Sequence, residues 1–232
     1  DLGVVADHCA LNLKATRKRI RLGFVSAFLG SHTIGKLFFG LVKGLDLNKF
    51  EIFLFHLGSD RRAEDKHLAA LSRYVDHFIP VPSQYLRARE TVADNEVDIL
   101  YYTDIGMEPL SYFLAFNRLA PIQCVTWGHP ITTGIPNIDY FISWQIHEPH
   151  DAKGHYSEEL VLFSGFCTKY LPPDYQSLSN DHGDFGLNGD ERLYVCPQSL
   201  FKFHPLFDGI LFEILQADEF ARIVILEGQQ KS

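Results

Sequence analysis

Short apolar runs alternate with amphipathic stretches along most of this chain. Arg19–Phe28 (RIRLGFVSAF), Phe50–Leu57 (FEIFLFHL), Phe78–Val81, Asp98–Thr103 (DILYYT) and Pro121–Trp127 are apolar runs of strand length. Such near-continuous runs suit strands covered on both faces. Between them apolar residues return at helical spacing: Leu37, Phe38, Leu41 and Leu45, then Leu68 and Leu71 within the charged stretch Arg61–Ser72, then Gln84–Asn95 and Pro109–Phe116. Tyr140–Ile142 and Glu159–Phe163 read as further strands, with a polar helix and loop over Ile146–His155. Regular strand–helix alternation predicts an α/β fold with a parallel sheet and right-handed crossovers.

The pattern changes twice. Residues 1–18 show no clear period and read as an N-terminal extension, the tail of a preceding helical region. Tyr170–Asp190 is rich in Pro, Gly, Asp, Asn and Ser, so 169–190 reads as a linker after a first lobe spanning 19–168. Beyond it a second α/β unit opens over 191–232: a strand at Arg192–Cys196, a loop at Pro197–Lys202, a helix at Pro205–Gln216 and a strand at Arg222–Leu226. That unit reads as the truncated start of a second Rossmann-like lobe.

Composition narrows the classes. With 46% hydrophobic and 13% aromatic residues among 232, the chain can bury a sizeable core. A net charge of -8 argues against nucleic-acid binding, which needs clustered Lys and Arg to neutralise phosphates. No apolar run approaches the roughly 18 residues of a membrane span. Cys9, Cys124, Cys167 and Cys196 form no CxxC pair, which fits free thiols in a reducing, cytoplasmic setting. The chain starts at Asp1 and its one methionine is Met107, so it reads as a fragment of a longer protein. Three histidines, His147, His150 and His155, lie beside Glu148 and Asp151, but their spacing fits no zinc pattern and no metal is expected.

The candidate chemistry sits in loops that follow predicted strands, where ligands bind in open α/β sheets. Gly30-Ser31-His32-Thr33 leads into a helix, a place where backbone N–H groups favour anions. Asp104 follows the strand at Asp98–Thr103 and precedes a glycine, which is a recurrent site position and equally a helix N-cap for Pro109–Phe116. Gly128-His129-Pro130 and Thr132-Thr133-Gly134 follow the fifth strand, and their hydroxyls suit phosphate or sugar oxygens. Read alone, His32 is a loop histidine and Lys202 a surface lysine.

The stretch APIQ-x3-WGHP-x-TTG-x4-DYFIS, Ala120–Ser143, resembles the core signature of the O-GlcNAc transferase family, glycosyltransferase family 41. Three further stretches match in the same order: G-S-H-T around His32, Tyr156-Ser157-Glu158 with Leu160, and CPQSLFKFHP at Cys196–Pro205. The second histidine of the family's first motif is replaced here by Lys36. The resemblance implies a glycosyltransferase B type fold, with one Rossmann-like lobe and the start of a second. It implies inverting transfer of N-acetylglucosamine or another hexose from a UDP-sugar to a protein hydroxyl or amide, without metal or other cofactor. It assigns His32 to the base or sugar contact, with Asp104, from its place after a strand, as rival; it assigns Lys202 with Gln198 and Ser199 to the donor diphosphate, and Gly30, His129, Pro130, Thr132, Thr133 and Gly134 to the cleft wall. The family commonly carries tetratricopeptide repeats upstream. A non-catalytic Rossmann-like or flavodoxin-like binding module is the competing reading.

Overall fold

The computed structural model describes residues 2–10, 17–172, 181, 183–187 and 189–226. It divides into two compact units, Asp1–Pro173 and Asp174–Ser232. The first unit runs α1 (Asp7–Ala10), β1 (Ile20–Ser26), α2 (Thr33–Gly44), β2 (Phe50–Leu57), α3 (Lys66–Leu71), β3 (His77–Val81), α4 (Tyr85–Ala93), β4 (Ile99–Tyr102), α5 (Pro109–Ala115), β5 (Ile122–Thr126), β6 (Tyr140–Trp144) and β7 (Glu159–Phe163). Its seven strands form one sheet in the order β3-β2-β1-β4-β5-β6-β7, and every neighbouring pair is parallel.

Period-two alternation splits the core into two layers. Leu22 and Phe24 of β1 with Ile52 and Leu54 of β2 face Ile34, Phe38 and Val42 of α2 and Leu68 and Leu71 of α3. Val25, Phe53, Phe55, Leu100 and Tyr102 point the other way, onto Ala88 and Val92 of α4 and Leu114 and Ala115 of α5. The N-terminal segment is tied to the sheet's underside: Arg118 donates its backbone N–H to Val4 and its carbonyl accepts from Ala6.

Several expected elements differ in extent for local reasons. The helix expected over Arg61–Ser72 begins at Lys66, because the Asp65 carboxylate accepts from the backbone N–H groups of His67 (2.9 Å) and Leu68 (3.0 Å) and fixes the start there. Ile146–His155 forms only a 3-10 turn at Ala152–His155. The crossover from β5 to β6, residues 127–139, holds no helix; Ile135 and Ile138 anchor it in the core instead. Part of the expected linker, at 173–180, 182 and 188, lies outside the described residues, as do 1 and 11–16 of the N-terminal extension.

In the second unit β8 (Arg192–Cys196), α6 (Leu206–Ala217) and β9 (Ala221–Ile225) form a parallel two-stranded sheet with one helix. Asp218 links them: its carboxylate accepts from Arg192 (2.8 Å), from the Tyr194 hydroxyl (3.1 Å) and from the Phe220 N–H (3.0 Å). Among the described residues no helix is long and apolar enough to cross a membrane.

Candidate active site

The strand order reverses direction between β1 and β4, so the loops leaving these two strands part company and open a crevice at their carboxyl ends. A hydroxyl-carboxylate cluster pins the crevice floor. Ser26, the last residue of β1, donates its hydroxyl to Asp104 (2.9 Å) and accepts the Phe28 N–H (2.8 Å), which fastens the β1 loop to the β4 loop. Thr103 donates its hydroxyl to the other Asp104 oxygen (3.2 Å). Asp104 is fully buried, and that burial pushes its carboxyl up to about 7, against the two hydroxyl donors and with a small push from Glu108. Asp104 is therefore not the helix cap allowed by its sequence position. Glu108 caps α5, accepting from the Ser111 N–H (2.8 Å), with Pro109 at the first helical position.

The β5 loop closes over this floor by close backbone approach. At Gly128 any side chain would collide with the Thr103 carbonyl, and its Cβ would lie 3.2 Å from the Ile34 side chain at the head of α2. Gly106, with φ of 100°, brings the β4 loop against the His129 ring, so near that a Cβ would stand 3.1 Å from Nδ1. His32 caps α2: its Nδ1 accepts the Ile34 N–H (3.2 Å), and its ring lies 4.7 Å from that of Phe28. Since that nitrogen must be unprotonated to accept, the neutral His32 ring carries its proton on Nε2 and offers a donor. The His129 side chain makes no hydrogen bond among the described residues. Thus the structure brings together the loops that carry His32, Asp104 and His129.

Gly30 belongs to the same rim for a different reason. A side chain there would strike the Asp65 carboxylate, which accepts from the Ser31 N–H (2.6 Å) and the Ser31 hydroxyl (2.9 Å). Burial raises the Asp65 carboxyl, but the donors from Leu68, Ser31 and His67 outweigh it and hold it down at about 2.

Thr132, Thr133 and Gly134 are placed otherwise than as free donors. Thr132 donates to Glu158 (2.7 Å), and Thr133 engages the same carboxylate through its hydroxyl and its N–H (2.8 Å). The Gly134 N–H donates to the Ser157 hydroxyl (3.1 Å). These residues fix the β5–β6 crossover onto the segment before β7, and Pro130 lies exposed ahead of them. Gln198, Ser199 and Lys202 lie in the β8–α6 loop of the second unit. The Gln198 side-chain oxygen accepts the Ser199 N–H (2.9 Å), while the Lys202 ammonium is exposed, 5.9 Å from the Phe201 ring centre.

Ser26 and Thr103 carry much of this geometry and were not singled out from the sequence, and Glu158 was named only within the Tyr156-Ser157-Glu158 match, with no role. Their only signal is a hydroxyl at a strand end, or a carboxylate before one, in positions that also suit ordinary structure.

A family model described as glycosyl transferase family 41 matches residues 6–171. A probable UDP-N-acetylglucosamine–peptide N-acetylglucosaminyltransferase of Arabidopsis thaliana, SEC, is 27% identical over 199 residues, 81% of this chain and 20% of that protein. The SPINDLY protein of the same plant, which carries the same description, is 25% identical over 173 residues, 69% of this chain and 18% of its own. A UDP-glucose:protein N-beta-glucosyltransferase of Actinobacillus pleuropneumoniae is 33% identical over 84 residues, 36% of this chain and 13% of its own. The chain thus spans about a fifth or less of the curated relatives it matches. Among solved structures, a variant O-GlcNAc transferase of Thermobaculum terrenum superposes with a TM-score of 0.75 at 23% identity, over 97% of this chain and 40% of that one, so the fold is that of the glycosyltransferase B type. On the family match, which covers most of its length, this chain belongs to glycosyl transferase family 41.

Proposed function

We propose that this chain contributes to an inverting, UDP-sugar-dependent glycosyltransferase that acts on protein side chains. The observation that carries the reading is the meeting of the β1, β4 and β5 loops at the switch point, inside the stretch matched by the family. The acceptor oxygen or amide nitrogen attacks the anomeric carbon, the bond from that carbon to the diphosphate breaks, UDP leaves, and the acceptor proton passes to a base. His32 offers Nε2–H as a donor to a substrate oxygen. Asp104 has a carboxyl tuned for proton transfer but is sealed from substrate, so it positions the Ser26 and Thr103 loops. That leaves His129, whose ring nitrogens have no protein partner among the described residues, to take the proton. Lys202, with Gln198 and Ser199 beside it, would neutralise charge on the departing diphosphate. The transfer itself asks for no metal or other cofactor in this reading.

The donor is UDP-N-acetylglucosamine or a UDP-hexose, and the acceptor a protein or peptide that an upstream repeat region would present. A reducing cytoplasmic setting accords with Cys9, Cys124, Cys167 and Cys196, all free. The test is transfer by the intact protein from UDP-N-acetylglucosamine and UDP-glucose to a protein acceptor. His129→Phe should lower turnover by about 10²-fold or more at unchanged melting temperature. Lys202→Ala should lower turnover far more than it disturbs folding. Near-normal turnover in His129→Phe would overturn the base assignment, and no transfer by the wild type with either donor would overturn the reading.

A further inference from the structure

The β5–β6 crossover carries His129 and has little apolar contact of its own to hold it. Among the described residues, none of 129–134 belongs to the hydrophobic core, and Pro130 and Ile131 are exposed. The next apolar anchors are Ile135 and Ile138. One buried carboxylate holds the span instead. Glu158, 5% exposed, accepts the Thr132 hydroxyl at one oxygen (2.7 Å), and the Thr133 N–H (2.8 Å) and hydroxyl at the other. Its neighbour Ser157 completes the clamp. The Ser157 N–H donates to the Thr132 hydroxyl oxygen (2.9 Å), and the Ser157 hydroxyl accepts the Gly134 N–H (3.1 Å).

The clamp has a fixed base. Glu158 immediately precedes β7, where the Glu159 N–H donates to the Asp139 carbonyl (2.9 Å) and the strand pairs in parallel with β6. Among the described residues no Lys, Arg or His pairs with Glu158, so neutral donors alone satisfy its charge. Burial raises the Glu158 carboxyl, but the Thr133 and Thr132 donors outweigh it and hold it below its usual value. A buried charge that depends on a few donors holds those donors in place, since losing any one leaves it poorly solvated. His129 lies just ahead of the clamp, at a turn in which the Ile131 N–H donates to the His129 carbonyl (2.9 Å). On the other side of the ring, Gly128 abuts the Thr103 carbonyl. The span is thus pinned at Gly128 and again at Thr132–Gly134, with His129 between.

We propose that Glu158 is a positioning residue, which through Thr132 and Thr133 sets where the His129 ring stands against substrate. For its catalytic consequence this rests on the proposed role of His129; the clamp itself does not depend on it. Displacing a reacting group by about 1 Å can cost about 10²-fold in rate, so loosening the clamp should show in turnover before it shows in affinity.

In the intact protein, Glu158→Gln keeps the side-chain shape but puts an amide donor where a carboxylate oxygen accepted. It should lower kcat at least about tenfold and leave the donor KM within about twofold. Ser157→Ala, which releases Gly134 and leaves the buried carboxylate in place, should lower kcat by a smaller factor. The control is Asp76→Asn, at the amino ends of the strands, where Asp76 accepts the Ile52 N–H (2.9 Å) and pairs with Arg19 (2.9 Å). It should depress the melting temperature as Glu158→Gln does, with kcat unchanged. In histidine-¹⁵N-labelled protein the His129 imidazole resonances should move in Glu158→Gln and hold in Asp76→Asn. Wild-type kcat in both Glu158→Gln and Ser157→Ala would overturn the proposal, as would unmoved His129 resonances or an equal fall in kcat for Asp76→Asn. Moved resonances in a protein that transfers from neither UDP-N-acetylglucosamine nor UDP-glucose would keep the clamp and remove the glycosyltransferase reading.

Discussion

Phe24 and Phe38 of the first unit are 1% exposed, whereas Phe212 of α6 and Val195 of β8 in the second are 62% and 59% exposed. Both units are written in the same pattern: apolar strand, loop, amphipathic helix, apolar strand. In the first, helices lie on both faces of a seven-stranded sheet and bury most of its apolar side chains, although Ile122 of β5 and Phe163 of β7 stay exposed. In the second, two parallel strands have a single helix, and among its described residues no apolar side chain is buried. Local pattern decides which element forms; the number of covering layers decides whether that element is stabilised. The crevice of Ser26, Asp104 and His129 therefore stands on a buried core beneath β1 and β4. The loop that carries Lys202 stands on strands that have little cover of their own.

Core truncation should break the symmetry most strongly. Phe38→Ala is expected to cost about 3–5 kcal/mol in denaturant unfolding, and Phe212→Ala about 0.5 kcal/mol or less. Equal costs would mean that α6 is packed as tightly as α2, and the contrast would fail.

The next effect sharpens the account of the crevice itself. The Asp104 carboxyl is raised from an ordinary 3.8 to about 7. The folded state therefore binds the extra proton between those values, and stability should fall as pH rises from about 4 to 7. The upper bound is roughly 4 kcal/mol. Asp104→Asn should flatten that slope, while second-unit substitutions such as Asp208→Asn should leave it alone. A wild-type stability curve flat over this range would show that the carboxylate is better solvated than its burial implies.

Asp65 gives a smaller effect of opposite sign. Its folded pKa is depressed to about 2, so its contribution is present above pH 4 and is lost as pH falls through 2. Asp65→Ala should cost about 1 kcal/mol at neutral pH, the usual worth of a helix cap, and should also loosen Ser31. Unchanged stability in this variant would mean that water replaces the cap without loss.

Much of the first unit was legible because strand burial writes itself into the chain. Leu22, Phe24, Ile52 and Leu54 announce β1 and β2, and the glycines and polar residues after them mark the loops. What stayed hidden depended on partners remote in sequence. Asp104 reads equally as a site residue and as a helix cap until β1 and β4 pair and bring Ser26, 78 positions away, onto its carboxylate. Thr132 and Thr133 read as open donors until Glu158, 26 and 25 positions on, occupies them. In the second unit the elements were equally legible, but their exposure was not, because a local pattern does not count its neighbours.

The contrast between a crevice held by a buried core and a second unit with little cover is tested most directly by native-state hydrogen exchange across the chain. Amides of β1, β4 and β5 should exchange at least about 10³-fold more slowly than those of β8 and β9, a gap of roughly 4 kcal/mol in opening free energy. Comparable protection in both sheets would contradict the account, because the second unit would then possess a core that its exposed Val195, Phe212 and Ile225 do not reveal.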